Sequence, residues 1–381
     1  MQKNSRILIS GAGIAGLVSA YWLAKNGMRP IVVEKAESIR ADGFIISLSH
    51  ESYRFAESMG IMPKLRQLDT LIRESAYYDR TGTPMLELKY NELFSGVNVV
   101  QVMRDDLQMV LYELTKDMAE FRFNSTINSL TQGHKQVSVE FNNNQVEEFD
   151  AVIGADGLHS NTRNIAYNED EVSKHYMGLF SSAYRLKNTI ELKSIFENHM
   201  ERNRYMCVYT TRENTLACVY IWKNSDLIAP PSHTRPQVLK DAYRNAPELV
   251  HRILEQCPTT SPLYMDPLIQ INLASWSKGR VVLLGDAAHC LTLLSGQGAS
   301  SAFWGASILA RNMIDNSFED ACGVYENELK PILSVVKKQT LSAAKWYVPQ
   351  SNFKFHLRDA AMKYLPNRFF QHYFKLKYSR A

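Results

Sequence analysis

Residues 6–34 read RILISGAGIAGLVSAYWLAKNGMRPIVVE, and this stretch constrains the fold more than any other. The spacing predicts a short apolar strand over Arg6–Ser10, a turn carrying Gly11, Gly13 and Gly16 as G-x-G-x-x-G, and a helix over Ile14–Asn26. Gly27 then supplies a left-handed stop, and the β-branched run Pro30–Glu34 reads as a second strand, buried in a parallel sheet. Each glycine has a mechanical task. Gly11 permits the tight turn, Gly13 lets a pyrophosphate approach the backbone, and Gly16 allows helix and strand to pack closely. The phosphate then faces the helix N-terminus, where unpaired N–H groups and the dipole favour an anion. Glu34 stands where a carboxylate accepts hydrogen bonds from an adenosine ribose and disfavours a 2′-phosphate. The nucleotide expected here is NAD or FAD, and the turn alone does not choose between them.

Two distant segments bear on that choice. Phe149–Ala155 is a further buried-strand run that leads into Asp156-Gly157, with Ser160 and Arg163 following. Later, Val281–Leu284 leads into Gly285-Asp286, a loop closed by Gly296-Gln297-Gly298, and another helix. With these in place the chain resembles the single-component FAD-dependent aromatic hydroxylases, the class A flavoprotein monooxygenases. Three of their motifs appear in order: G-x-G-x-x-G, D-G-x-x-S-x-x-R (Asp156, Gly157, Ser160, Arg163) and G-D-A-A-H (Gly285 to His289). The resemblance covers roughly residues 1 to 320.

It implies an α/β fold like that of p-hydroxybenzoate hydroxylase: a Rossmann-like FAD-binding domain, an inserted antiparallel-sheet substrate domain and a C-terminal helical region. The domains expected are 1–74, 95–173 and 270–320 for FAD, 75–94 and 174–269 for substrate, and 321–381 for helices bridging the two. The cofactor-binding residues implied are Gly11, Gly13, Ala15, Gly16, Glu34, Lys35, Arg104, Asp156, Gly157, Gly285, Asp286, Gly296, Gln297, Gly298 and Ala299. Among them Asp286 matches the acid that holds the ribityl chain, and Arg104 the arginine that reaches the cofactor. Asp105 or Asp106 is read as a cap of the helix beginning there. The resemblance further implies that NADPH or NADH reduces FAD, that O₂ adds at the flavin C4a, and that the resulting hydroperoxide passes oxygen to an electron-rich carbon. The flavin carries that chemistry, so no catalytic side chain is assigned, and neither a nucleophile–base pair nor a metal cluster is visible in the sequence. His289 is read as part of the motif's scaffold. One departure stands out: prolines usual after G-D-A-A-H are replaced by Leu291, Thr292, Leu293 and Leu294.

Between the motifs, runs such as SSAYRL, YMCVYTT and LACVYIW alternate with period two, the mark of half-buried strands. Candidate substrate residues are Phe44, Ile46, Tyr184, Arg185, Tyr205, Met206, Tyr220 and Trp222, the last six on the inserted sheet. Arg185 is the one suited to pair with a substrate anion. The LLSGQG loop and the long helical C-terminus look most like the tetracycline-inactivating monooxygenases. Tetracycline-type antibiotics are therefore the first expected substrate. Another aromatic polyketide, a small aromatic acid, or a membrane-associated FAD-dependent reductase activity are the alternatives.

From Ala321 apolar residues recur at helical spacing, with Pro331 read as starting or kinking a turn. Beyond Pro349, residues 354–380 carry seven Lys or Arg against one Asp, interleaved with aromatics. A helix packed across the two domains is the leading reading of that tail; a basic membrane-surface helix or a solvated tail are the others. With a net charge of +4 and no concentrated basic face evident, nucleic acid is not an expected partner. No apolar run is long enough to span a membrane. Five cysteines, odd in number and widely spaced, suggest reduced thiols and a cytoplasmic protein; a monomer is expected, although nothing in the sequence speaks to oligomeric state.

Overall fold

The computed structural model describes residues 2–39, 43–192, 195–259 and 263–371. The chain divides into two compact units. One takes residues up to Asp69, Val99–His175 and Ile269–Lys337; the other takes Thr70–Asn98, Tyr176–Leu268 and residues from Lys338 onward.

The first unit is built on a six-stranded sheet in the order Ser277–Lys278, Val281–Leu283, Ala151–Gly154, Arg6–Ser10, Arg29–Val33, Glu120–Arg122. All its pairings are parallel except that of the first, edge strand. The central strands are β-branched and apolar and almost wholly buried, as a sheet covered on both faces requires. One face carries the helix Ile14–Lys25, itself buried along nearly its whole length, with Arg104–Thr115 and Gly298–Asp315 against it. The other carries the meander Ile127–Gln132, Val137–Phe141, Val146–Phe149. Phe149 thus ends a meander strand rather than opening the parallel strand, which starts at Ala151. The Asn142–Asn144 turn is a hairpin, with Asn144 at φ +62° and its N–H on the Phe141 carbonyl.

The second unit holds a seven-stranded sheet in the order Tyr264–Leu273, Val172–Lys187, Thr215–Lys223, Arg204–Thr210, Phe196–Glu201, Glu74–Tyr78, Pro84–Lys89. Phe196–Glu201 and Glu74–Tyr78 pair in parallel, which departs from the all-antiparallel expectation. Another departure concerns burial. The segment 174–269 contains two helices, Arg235–Ala242 and Glu248–Glu255, that cover one face of the sheet through Leu239, Val250, Ile253 and Leu254. With that face covered, Tyr205–Thr210 is buried on both sides and the strands are not half-solvated. Tyr243 closes this core. Its hydroxyl accepts from the Ile221 N–H at 3.1 Å and lies 2.7 Å from the Tyr205 carbonyl.

Past the motifs come the helices Phe318–Tyr347, with Pro331 inside it rather than at a start, and Asn352–Tyr364. All five cysteines are buried and unpaired, and no described helix is long and apolar enough to cross a membrane.

Tyr243→Phe leaves those buried backbone groups short of a partner, at about 1–3 kcal/mol. A melting temperature lower by a few degrees, followed by circular dichroism, is the expected result.

Candidate functional site: a dinucleotide cradle at the strand ends

Three loops meet at the carboxyl ends of the parallel strands, and glycines let them meet. Gly11 sits at φ +104°, and a Cβ there would lie 2.6 Å from the Ala155 carbonyl oxygen. A Cβ at Gly16 would strike the Gly11 carbonyl, and one at Gly285 would press on Ala15 and Ala302. The first motif is therefore in contact with both the second and the third. Arg163, 1% exposed, completes the junction: it donates to the Leu158 carbonyl at 2.7 Å and the Ala287 carbonyl at 2.9 Å. Burial pulls its pKa down while Asp156 nearby pulls it up.

At Gly13 an added Cβ would meet nothing within 4 Å, which is the open approach a pyrophosphate needs. Leu17 is the first residue of the following helix to donate to a helical carbonyl, that of Gly13, and no side chain caps the helix start. Glu34 is held in place by the N–H groups of Ala12 at 2.9 Å and Ala36 at 3.0 Å. A carboxylate has lone pairs beyond these two for ribose hydroxyls. Lys35 follows it, exposed. Gln108, which the sequence reading did not single out, donates to the Ala12 carbonyl at 2.8 Å and ties a second helix to the glycine turn.

Asp156 has a different environment. Its oxygens accept from the Ser160 hydroxyl, from the N–H and hydroxyl of Thr162 at 2.9 Å each, and from Ser10 at 3.4 Å. In this structure it fixes the turn into the helix Asn161–Ala166, and the neighbouring Gly157, at φ +83° with nothing near its Cβ position, is the open element of that motif.

Asp286 follows Gly285 and opens the short helix Asp286–His289. Solvent reaches its side chain, yet protein crowding raises its carboxyl pKa, an effect opposed by the Arg104 guanidinium and by a hydrogen bond from the Cys290 thiol. Arg104 opens its helix with Met103 as the N-cap, so Asp105 and Asp106 fall in the first turn rather than at the cap. Its N–H holds the Phe44 carbonyl at 3.0 Å. The loop after G-D-A-A-H buries Leu291 and Leu294, exposes Leu293, and places the β-branched Thr292 at φ +66°, a strained conformation for such a residue. Gly296, also at φ +66°, and Gln297 then deliver the helix Gly298–Asp315, whose start has no side-chain cap. Ser300, near that start beside Ala299, donates to the Ser47 carbonyl at 2.7 Å and so pins the helix start to the strand carrying Ile46.

The candidate substrate residues separate. Tyr184, Met206, Tyr220 and Trp222 are corrected here: they form the core beneath the two covering helices, with the Tyr184 and Tyr220 hydroxyls 2.7 Å apart. Tyr205 lies on the opposite face of the sheet and spends its hydroxyl on Asn198 at 2.7 Å. By strand alternation Arg185 shares that opposite face. Phe44 and Ile46 are partly exposed beside Arg104.

An uncapped helix start, an open glycine, an acid held at the end of the second strand and a second acid beside an arginine fit an elongated dinucleotide. The profile of the FAD binding domain family matches residues 4–321. A flavin-dependent monooxygenase of Legionella longbeachae is 31% identical over 81% of this chain and 80% of its own. Tetracycline destructase Tet(51) superposes with a TM-score of 0.82 at 26% identity, over 98% of both chains. HpxO of Klebsiella pneumoniae, solved with FAD and uric acid, shares the fold at a TM-score of 0.85 and 18% identity, over 100% of this chain and 98% of that one. The chain belongs to the FAD-binding-domain family, as an enzyme of the FAD-dependent monooxygenase kind.

His289 is buried against Trp276, and burial holds its pKa down at about 3. The ordinary imidazole titrates near 6.5, so between pH 6.5 and 3 the unfolded chain binds a proton that the folded one refuses. Stability should therefore fall as pH drops through this window, by a few kcal/mol from this group. In His289→Gln, the fall in melting temperature between pH 6.5 and 4 should be visibly shallower than in the parent.

Proposed function

We propose that this chain hydroxylates an electron-rich phenolic or enolic polycycle, with tetracycline-type antibiotics first among candidate substrates, using NADPH or NADH and O₂. The observation that carries this reading is the convergence of the three glycine-backed loops on one cradle. The likeness to a tetracycline destructase at 26% identity supports the choice of substrate. Bound FAD supplies the redox and oxygen chemistry.

The protein's own residues do the rest. Gly13 and the helix start behind it receive the pyrophosphate, with Ala15 and Gly16 in the first turn and Glu34 and Lys35 at the adenosine end. Gly157 gives the chain room to pass close by. Asp286 accepts from ribityl hydroxyls, and Arg104 favours the ionised form of that carboxylate, against the crowding that raises its pKa. Gly298 and Ala299 open the helix whose dipole favours negative charge at the ring's anionic edge, and Gly296 and Gln297, whose N–H groups donate to the Leu293 carbonyl and the Ser295 hydroxyl, shape the turn that aims it. Phe44 and Ile46, partly exposed beside Arg104, offer apolar surface to a substrate, and Arg185 is the cation suited to a substrate anion.

Two measurements test the reading. NADPH and tetracycline added to the purified protein should bleach the antibiotic's absorbance with matching O₂ uptake; NADPH oxidation without substrate-dependent O₂ uptake would instead mark a reductase. Asp286→Ala should yield pale, poorly stable protein, because unpaired ribityl hydroxyls cost about 1–3 kcal/mol each. Stoichiometric flavin absorbance in that variant would remove Asp286 from the assignment.

A further inference from the structure

The helix Asn352–Tyr364 is apolar on two opposite sides. Phe355 and Met362, with Arg358 between them, are buried at 9%, 1% and 2% exposure. The other side places Phe353, Leu357 and Tyr364 at i, i+4 and i+11, exposed at 75%, 58% and 83%, and Phe369 continues the apolar surface beyond the helix. A stripe of this kind normally finds something to lie on.

Charge indicates what that is. Beside the stripe a depression is lined by Arg80, Arg202, His356, Asn352, Phe355 and Glu201. The acid in its lining, Glu201, is already matched with Arg204 at 2.6 Å, and two acids paired with residues of the helix are matched too: Asp359 with Arg358 at 2.7 Å and Asp79 with Lys363 at 2.6 Å. Arg202 donates to the Asn352 side chain at 2.7 Å, which holds its guanidinium at the rim. Lys354 and Arg368 add exposed positive charge along the same segment. A second protruding apolar pair, Leu227 and Ile228 at 59% and 83% exposure, follows Lys223 closely in the chain. Lys223 bonds to Asn203, whose N–H in turn holds the Pro349 carbonyl just before the helix. An isologous dimer closed on this depression would gather the arginines of both copies into one interface, so the charge argues against a second copy as the occupant.

We propose that this surface docks the protein on a bilayer containing anionic phospholipid. The aromatic and leucine side chains lie at the acyl–headgroup boundary, and a lipid phosphate sits against Arg80 and Arg202. The helix lies in the interface plane and does not span, in keeping with its short length and mixed polarity. Guanidinium groups suit a phosphate by their paired donors, and the surrounding positive charge draws the face to an anionic leaflet.

Flotation of the full-length, flavin-loaded protein with extruded vesicles tests this. Binding is expected to phosphatidylcholine vesicles containing phosphatidylglycerol, not to phosphatidylcholine alone, and it should weaken as NaCl is added. The double change Phe353→Ser and Leu357→Ser, on the exposed side, should reduce binding at least about tenfold. Arg80→Glu with Arg202→Glu should do the same by an independent route, and both variants should keep the parent's flavin spectrum. Absence of binding to either vesicle overturns the proposal, as does equal binding to both, or parent-like binding by the two variants. A dimer in light scattering that Leu357→Ser converts to monomer also overturns it, by identifying a second copy as the occupant.

Discussion

The first unit depends on backbone passing against backbone at the ends of its parallel strands. Gly11 lies on the Ala155 carbonyl, Gly16 lies on Gly11, and Gly285 lies against Ala15. A methyl group at the first two would have no room, and the loops would part. Because they do not part, three segments far apart in sequence meet at the ends of the parallel strands. Arg163 fastens two of them by donating to a carbonyl in each. A buried cation held by neutral carbonyls is costly in isolation; here it replaces two carbonyl–water contacts that a closed junction excludes.

This cradle was largely legible in the sequence, for a physical reason. Gly-x-Gly-x-x-Gly and Gly-Asp each satisfy a local steric demand, and local demands leave local signatures. The strand and helix on either side of the glycine turn and the left-handed Gly27 were visible in this way. What the sequence showed poorly was set by distant partners. Asp156 is read as facing a ligand until Ser160 and Thr162 are seen to take its oxygens. Gln108 looks like one more helix polar group, yet it reaches across 96 residues to Ala12.

The inserted sheet was misread for a related reason. Alternation marks which residues share a face; it does not say which face is covered. Tyr184, Tyr220 and Trp222 are large, aromatic and on one face, as a binding wall would be. The helices Arg235–Ala242 and Glu248–Glu255 cover that face, and a strand buried on both sides then loses its polar beat. The two helices are only eight residues each, too short for their periodicity to stand out among alternating strands.

The burial of every cysteine has a consequence for an enzyme that works with oxygen. Reduced flavin that meets O₂ without a partner molecule releases hydrogen peroxide, and thiolates are the groups such an oxidant attacks first. Removal from water pushes the pKa values of Cys207, Cys218, Cys257, Cys290 and Cys322 above the ordinary thiol value. The sulfurs remain protonated and out of reach, so wasted turnovers should erode the catalyst slowly.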